Sequence, residues 1–114
     1  MAVEFDHVAV ESTSIEKDIA FFQEALPGLQ VLYSDPTWGF LSAAGVKMAF
    51  VTPTQHPPHI AFRVDTREEL KDLADRNKAR VDVHRDSSES FYIQAPGGAW
   101  VEIVYYPQKS RNLA

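Results

Sequence analysis

The sequence lacks several features that would place it in a specialised class of protein. It has no cysteine among its 114 residues, which excludes disulfides, zinc ribbons and thiol nucleophiles. No apolar run approaches the roughly 20 residues that a membrane-spanning helix requires. The N-terminus has no basic region followed by an apolar stretch, so we expect no signal peptide. These absences suit a cytoplasmic protein with no membrane partner.

Positive charge is also scarce. The chain has 11 Lys and Arg residues against 16 Asp and Glu residues, which gives a formal net charge of −5. Because an acidic domain without a basic stripe is repelled by phosphate backbones, we expect no nucleic-acid partner. The length predicts a single domain over residues 1–114. A metal site in such a chain would use His, Asp or Glu, and these ligands suit Fe, Mn, Ni, Co or Zn.

The chain contains an internal repeat at an interval of about 52 residues. Residues 6–10 (DHVAV) and 58–62 (PHIAF) share the pattern His-aliphatic-Ala-hydrophobic. A Thr-x-x-Glu capping box, which is typical of a helix start, follows each of them at residues 13–16 and 66–69. Further along, residues 40–45 (FLSAAG) resemble residues 92–97 (YIQAPG), and each segment leads into a run rich in β-branched and aromatic residues. Three features in the same order indicate a duplicated unit.

The repeated pattern therefore predicts that each half contains one strand, one helix and about three further strands. The repeat units cover about residues 3–53 and 57–107, with a proline-rich linker between them. The apolar positions predict that each helix buries one face. They are Ile15, Ile19, Phe22 and Leu26 in the first helix, and Leu70, Leu73 and Ala74 in the second. We expect Pro27-Gly28 to stop the first helix and the second to end near Asn77.

Two histidines occupy equivalent positions in the first strand of each half. A single strand histidine is more often structural than a ligand, but equivalent positions of two packed units can face a common cleft. His7 and His59 are therefore candidate metal ligands. The other histidines are His56, which we expect to be exposed in the linker, and His84.

Glu102 lies in the apolar run 99–106, where burying an unpaired carboxylate would be costly. It could face water from an edge strand, pair with Arg63 or Lys47, or bind a metal together with the two histidines. Two His and one carboxylate on one side of a metal leave open positions for catalysis. The first-half counterpart of Glu102 falls on Ala49 or Phe50, neither of which can bind a metal. We therefore predict three protein ligands.

These motifs resemble the vicinal oxygen chelate superfamily, which includes glyoxalases, extradiol dioxygenases, and fosfomycin and bleomycin resistance proteins. The resemblance covers residues 5–107: the two His-bearing strands and the closing segment 91–102, where Ala95 replaces the usual Asp. It implies an α+β fold of two βαβββ units that form a curled mixed sheet around a cleft. It also implies one divalent metal ion held by His7, His59 and Glu102.

The resemblance to extradiol dioxygenases, which use three ligands and Fe²⁺, extends to two further residues. Six residues separate His84 from the pair Phe91-Tyr92, and Tyr92 precedes Glu102 by ten positions; only Asp82 departs from that pattern. This implies that His84 is an acid–base residue and Tyr92 a hydrogen-bond donor. Alternatively, Tyr92 is generic to the superfamily and His84 is an exposed residue at a strand end.

Two functions follow from the resemblance. The first is a metal-dependent enzyme acting on a small molecule with vicinal oxygens, most nearly an extradiol-type dioxygenase or a related lyase or isomerase. Fe²⁺ is the favoured metal, with Mn²⁺, Ni²⁺ and Zn²⁺ as alternatives. The second is a non-catalytic drug-binding protein of the bleomycin-resistance type, although such relatives generally lack the metal ligands. Because small relatives commonly dimerise, we also expect a homodimer.

Overall fold

The computed structural model describes residues 3–43 and 45–107. Over these residues the chain forms the following elements in order: β1 (Glu4–Glu11), α1 (Ile15–Ala25), β2 (Gln30–Asp35), β3 (Trp38–Ala43), β4 (Val46–Val51), β5 (His59–Val64), α2 (Arg67–Arg76), β6 (Asp82–Val83), β7 (Glu89–Gln94) and β8 (Trp100–Tyr105). The βαβββ order therefore occurs twice, as the repeat predicted. Residues 1, 2, 44 and 108–114 of the predicted domain lie outside the described part.

The strands form one eight-stranded sheet in the order β2-β3-β4-β1-β5-β8-β7-β6. The sheet is mixed, since β1 runs parallel to β4 while β2–β3, β3–β4, β6–β7 and β7–β8 are antiparallel. With two helices among the described residues, this confirms the predicted α+β class. None of the described helices is long and apolar enough to cross a membrane.

The described chain divides into two compact units. The N-terminal unit is residues 7–43 with 45–59, and the C-terminal unit is residues 3–6 with 60–107. In the N-terminal unit, one face of α1 packs on the sheet around Ile15, Ile19, Leu41 and Phe50. In the C-terminal unit, the core consists of Val64, Leu70, Ala74, Phe91 and Ile103.

A glycine allows α1 to lie close to the sheet. A Cβ atom on Gly39 would come within 2.6 Å of Ile19 Cδ1 and 2.9 Å of Ile15 Cγ2. Both distances are shorter than van der Waals contact, so a larger residue at position 39 would force the Ile15 and Ile19 side chains to shift.

The start and end of α1 differ from the prediction. The N-cap is Ser14 rather than Thr13, and its side chain makes no capping hydrogen bond. Instead, the Ser12 hydroxyl accepts a hydrogen bond from the Ser14 amide (3.1 Å) and donates one to Asp18 (2.5 Å). The helix ends before Leu26, whose backbone is extended and whose side chain is 52% exposed. Leu26 therefore does not belong to the buried face of α1.

The capping box of α2 is confirmed. The Thr66 hydroxyl accepts a hydrogen bond from the Glu69 amide (3.1 Å), and the Glu69 carboxylate accepts one from the Thr66 amide (3.2 Å). Leu70 and Ala74 are buried as predicted, Leu73 packs partly against the same core, and Asn77 is the C-cap.

Thr66→Ala should lower the free energy of unfolding by about 1 kcal/mol, because it leaves a helix-end amide without its side-chain acceptor. Ser14→Ala is the matched control, since the Ser14 side chain makes no such bond. Urea denaturation of both variants would measure the difference. Equal midpoints for the two variants would contradict this account of the helix starts.

Candidate metal centre

Two histidine side chains face each other in the N-terminal unit. His7 lies in β1 and His59 begins β5, and their Nε2 atoms are 3.3 Å apart. Nδ1 of His59 lies 2.9 Å from the carbonyl oxygen of Pro57. A proton on Nδ1 donates to that carbonyl and leaves the Nε2 lone pair available to a metal, as is usual for ligating histidines.

Glu102 is the carboxylate of β8 that the sequence singled out. It is 5% exposed, and β8 lies between β5 and β7 in the sheet, so the edge-strand interpretation is wrong. Arg63, one of the suggested partners, forms ion pairs with Glu4 (3.1 Å) and Asp6 (3.6 Å).

Tyr92 stands directly opposite Glu102 on the neighbouring antiparallel strand. Its hydroxyl hydrogen-bonds to the Glu102 carboxylate. Burial, and then the nearby Glu102 charge, raise the pKa of Tyr92 well above its usual range. The phenol therefore stays protonated at physiological pH and acts as a hydrogen-bond donor.

The three predicted ligands come together. One ligand atom from each of His7, His59 and Glu102 lies within 4.8 Å of the other two. Neighbouring ligands bound to a metal at about 2.0–2.1 Å are themselves separated by about 3 Å, close to the distance between the two histidine nitrogens. The donor set and its spacing fit a divalent transition metal.

The strand register identifies the first-half counterpart of Glu102. Phe40 pairs with Ala49 in the N-terminal unit, just as Tyr92 pairs with Glu102 in the C-terminal unit. Ala49 is therefore the equivalent position, whereas Phe50 is completely buried in the core beneath α1. Since an alanine offers no ligand atom, the repeat does not supply a fourth ligand at this position.

His84 follows β6 and lies beside Glu102. Its Nε2 atom is 2.6 Å from the Ser90 hydroxyl and 3.9 Å from a Glu102 carboxylate oxygen. The side chain is 30% exposed, so it is a strand-end residue that reaches both solvent and the carboxylate. Its acid–base role stays a prediction.

Sequence reasoning missed two residues near the site and mispredicted the exposure of a third. Ser90 is 1% exposed and holds His84; its position two residues before Tyr92, on the same face of β7, was the available signal. Asp6 is 6% exposed, beside His7 in sequence, and accepts a hydrogen bond from Tyr106 (2.6 Å). His56 is half-buried rather than exposed, and its ring centroid lies 6.4 Å from that of His59.

Aromatic side chains continue from His7 through the N-terminal unit. The His7 ring meets the Phe40 ring edge-on, with 6.2 Å between the ring centroids. The Phe40 ring stacks on Trp38 at a centroid distance of 5.4 Å, and the Trp38 ring lies 5.2 Å from that of Tyr33. This row gives the histidine pair an apolar flank.

Comparison with known proteins shows what the fold is similar to. No protein-family profile matches this chain, and no curated protein matches it in sequence. Solved structures do match. A glyoxalase/bleomycin resistance protein/dioxygenase superfamily member from Vibrio splendidus 12B01 gives a TM-score of 0.67 at 16% identity, covering 92% of this chain and 100% of that one. Methylmalonyl-CoA epimerase from Mycobacterium tuberculosis gives a TM-score of 0.70 at 15% identity, and the match covers 94% of this chain and 90% of that one.

An extradiol ring-cleaving dioxygenase from B. fuscum gives a TM-score of 0.69 at 17% identity. The match covers 93% of this chain but only 33% of that enzyme, so this chain spans about a third of its length. At these identities the likeness concerns architecture. The chain thus has the α+β fold of the glyoxalase/bleomycin resistance protein/dioxygenase superfamily.

Proposed function

We propose that this chain is a metal-dependent enzyme of the glyoxalase/dioxygenase superfamily that acts on a small molecule with oxygens on adjacent carbons. The observation that carries the proposal is the convergence of His7, His59 and Glu102. The shared fold supports the superfamily. Fe²⁺ is the metal we favour, and Mn²⁺, Ni²⁺ and Zn²⁺ are the other candidates.

Each proposed ligand is oriented by a neighbour. The Pro57 carbonyl holds the ring of His59, and the Tyr92 hydroxyl holds the carboxylate of Glu102. Such supporting hydrogen bonds fix tautomer and direction before a metal binds. When bound, a divalent metal would supply Lewis-acid polarisation of two neighbouring substrate oxygens. Because Ala49 adds no ligand, positions remain open for a substrate.

Tyr92 and His84 are the proposed catalytic residues. Tyr92 remains a phenol and can donate a hydrogen bond to an oxygen that gains negative charge. His84 touches Ser90 and solvent, so it can move a proton between a substrate and water. Glyoxalase I relatives add a Glu ligand from the last strand of the first unit, where this chain has Ala49. This arrangement therefore favours extradiol-type ring cleavage or a related lyase or isomerase reaction over glyoxalase I activity.

The test is metal analysis of protein purified without a His tag, followed by titration with Fe²⁺, Mn²⁺, Ni²⁺ and Zn²⁺. We expect uptake of about one equivalent per chain with release of protons from the ligands. Uptake below about a tenth of an equivalent for every metal would contradict the proposal and favour the drug-binding alternative. The loaded protein would then be assayed with catechols, with methylglyoxal hemithioacetal, and with fosfomycin plus thiols.

We further propose that the chain forms a homodimer. Burial of exposed apolar side chains such as Phe5 (44%) and Val83 (72%) against a second copy would stabilise such a dimer. Sedimentation equilibrium should give a dimer at micromolar concentration. A monomer under those conditions would contradict it.

A further inference from the structure

His56 lies in the linker between β4 and β5 and has no role in the functions proposed above. The linker is ordered locally, because the Gln55 amide donates to the Thr52 carbonyl (3.1 Å) and the Gln55 side chain accepts from the Thr52 amide (3.3 Å). His56 follows this turn directly and is half-buried. Its ring meets that of His59 edge-on, with an interplanar angle of 76°.

The spacing of the three imidazoles can be compared within the N-terminal unit. The ring centroids of His7 and His59 are 5.4 Å apart, and those Nε2 atoms converge to 3.3 Å. The centroids of His56 and His59 are 6.4 Å apart, at nearly the same interplanar angle. His56 stands outside the group of described residues whose ligand atoms lie within 4.8 Å of one another. A displacement of about 1 Å, small for a surface loop, would bring its ring to the centroid spacing of the ligand pair.

The chemistry of the site leaves a position for such a ligand. Ala49 stands where the repeat would otherwise place a fourth donor, so three donors leave a transition metal short of even a tetrahedral protein shell. A neutral imidazole adds affinity without adding charge. It can also leave the metal easily, because it is carried by a turn rather than by a strand.

We propose that His56 is a fourth protein ligand of the metal centre, recruited from the linker when the metal binds. This inference rests on the proposed metal site and adds a ligand that the repeat itself does not contain. It predicts that metal binding orders the linker and that three histidines, rather than two, surround the ion.

The test uses Cu²⁺ as a spectroscopic probe and Zn²⁺ for affinity, both with the full chain. Nitrogen hyperfine splitting in the electron paramagnetic resonance spectrum of the Cu²⁺ protein should show three imidazoles, and His56→Ala should show two. Competition with a chelator should show that His56→Ala weakens Zn²⁺ binding by about 10- to 100-fold. Gln55→Ala is the control, since it perturbs the turn and keeps every histidine; we expect its affinity to stay within about twofold of the parent.

The outcomes separate the two proposals. If the unaltered chain binds neither metal, the proposed function fails and His56 has no metal to bind. If the unaltered chain binds metal but shows two imidazoles, or if His56→Ala binds as tightly as the parent, His56 is not a ligand and the three-ligand site stands. The spectrum of the unaltered chain decides this even if the variant folds poorly.

Discussion

Glu102→Gln should weaken metal binding by more than about 100-fold while the fold stays intact. The substitution preserves the shape of the side chain and an oxygen that can accept the Tyr92 hydrogen bond. It removes the only negative charge of the proposed ligand set. Since Glu102 is 5% exposed, loss of that buried charge should leave the free energy of unfolding of the metal-free protein unchanged or slightly higher.

Chelator competition with Zn²⁺, together with the rise in melting temperature on adding metal, would measure the effect. Glu89→Gln is the matched control, because Glu89 is a carboxylate on the neighbouring strand β7 that lies outside the ligand cluster. Glu89 forms an ion pair with Arg67 (2.7 Å), and this hydrogen bond lowers the pKa of Glu89. The control should lose up to about 1 kcal/mol of stability and keep full metal affinity.

A different pattern would show that Glu102 is structural. If Glu102→Gln binds metal within about threefold of the parent, the carboxylate is not a ligand. In that case the contacts with Tyr92 and His84 would be its main role, and the variant would lose stability instead.

Phe50→Ala should lower the free energy of unfolding by about 3–5 kcal/mol. Phe50 has no exposed surface and fills the space beneath α1, where its ring lies 5.4 Å from that of Phe22. Truncation removes the buried ring and leaves a cavity that α1 cannot fill, since Gly39 already places the helix close to the sheet. The loss is a large part of the roughly 5–15 kcal/mol that stabilises a typical domain.

Equilibrium unfolding in urea, followed by far-UV circular dichroism, would measure this loss. Phe21→Ala is the control. It also removes a phenylalanine ring, but from a position of α1 where the side chain is 65% exposed. We expect its effect to stay within about 0.5 kcal/mol. Similar losses in the two variants would mean that α1 does not pack on the sheet as described.

Local chemistry explains which parts of the fold were predictable. The start of α2 was predictable, because a capping box satisfies its own helix-end amides and depends on no distant residue. The same motif misled at α1, where Ser12, outside the box, bonds to the Ser14 amide and to Asp18. Leu26 was misplaced for a related reason: periodicity identifies a face but does not reveal the last helical turn.

The sequence by itself determined the duplicated βαβββ order, the α+β class and the choice of His7, His59 and Glu102 as candidates, because repeats and unusual polar residues in apolar strands are visible without coordinates. Only the tertiary structure decided that their ligand atoms lie within 4.8 Å, that Ala49 rather than Phe50 is the counterpart of Glu102, and that His56 approaches His59. The first two facts depend on strand register and on packing between residues far apart in the chain, whereas the third depends on the local turn that precedes His56. A shift of one residue in register would turn every side chain of a strand to its opposite face.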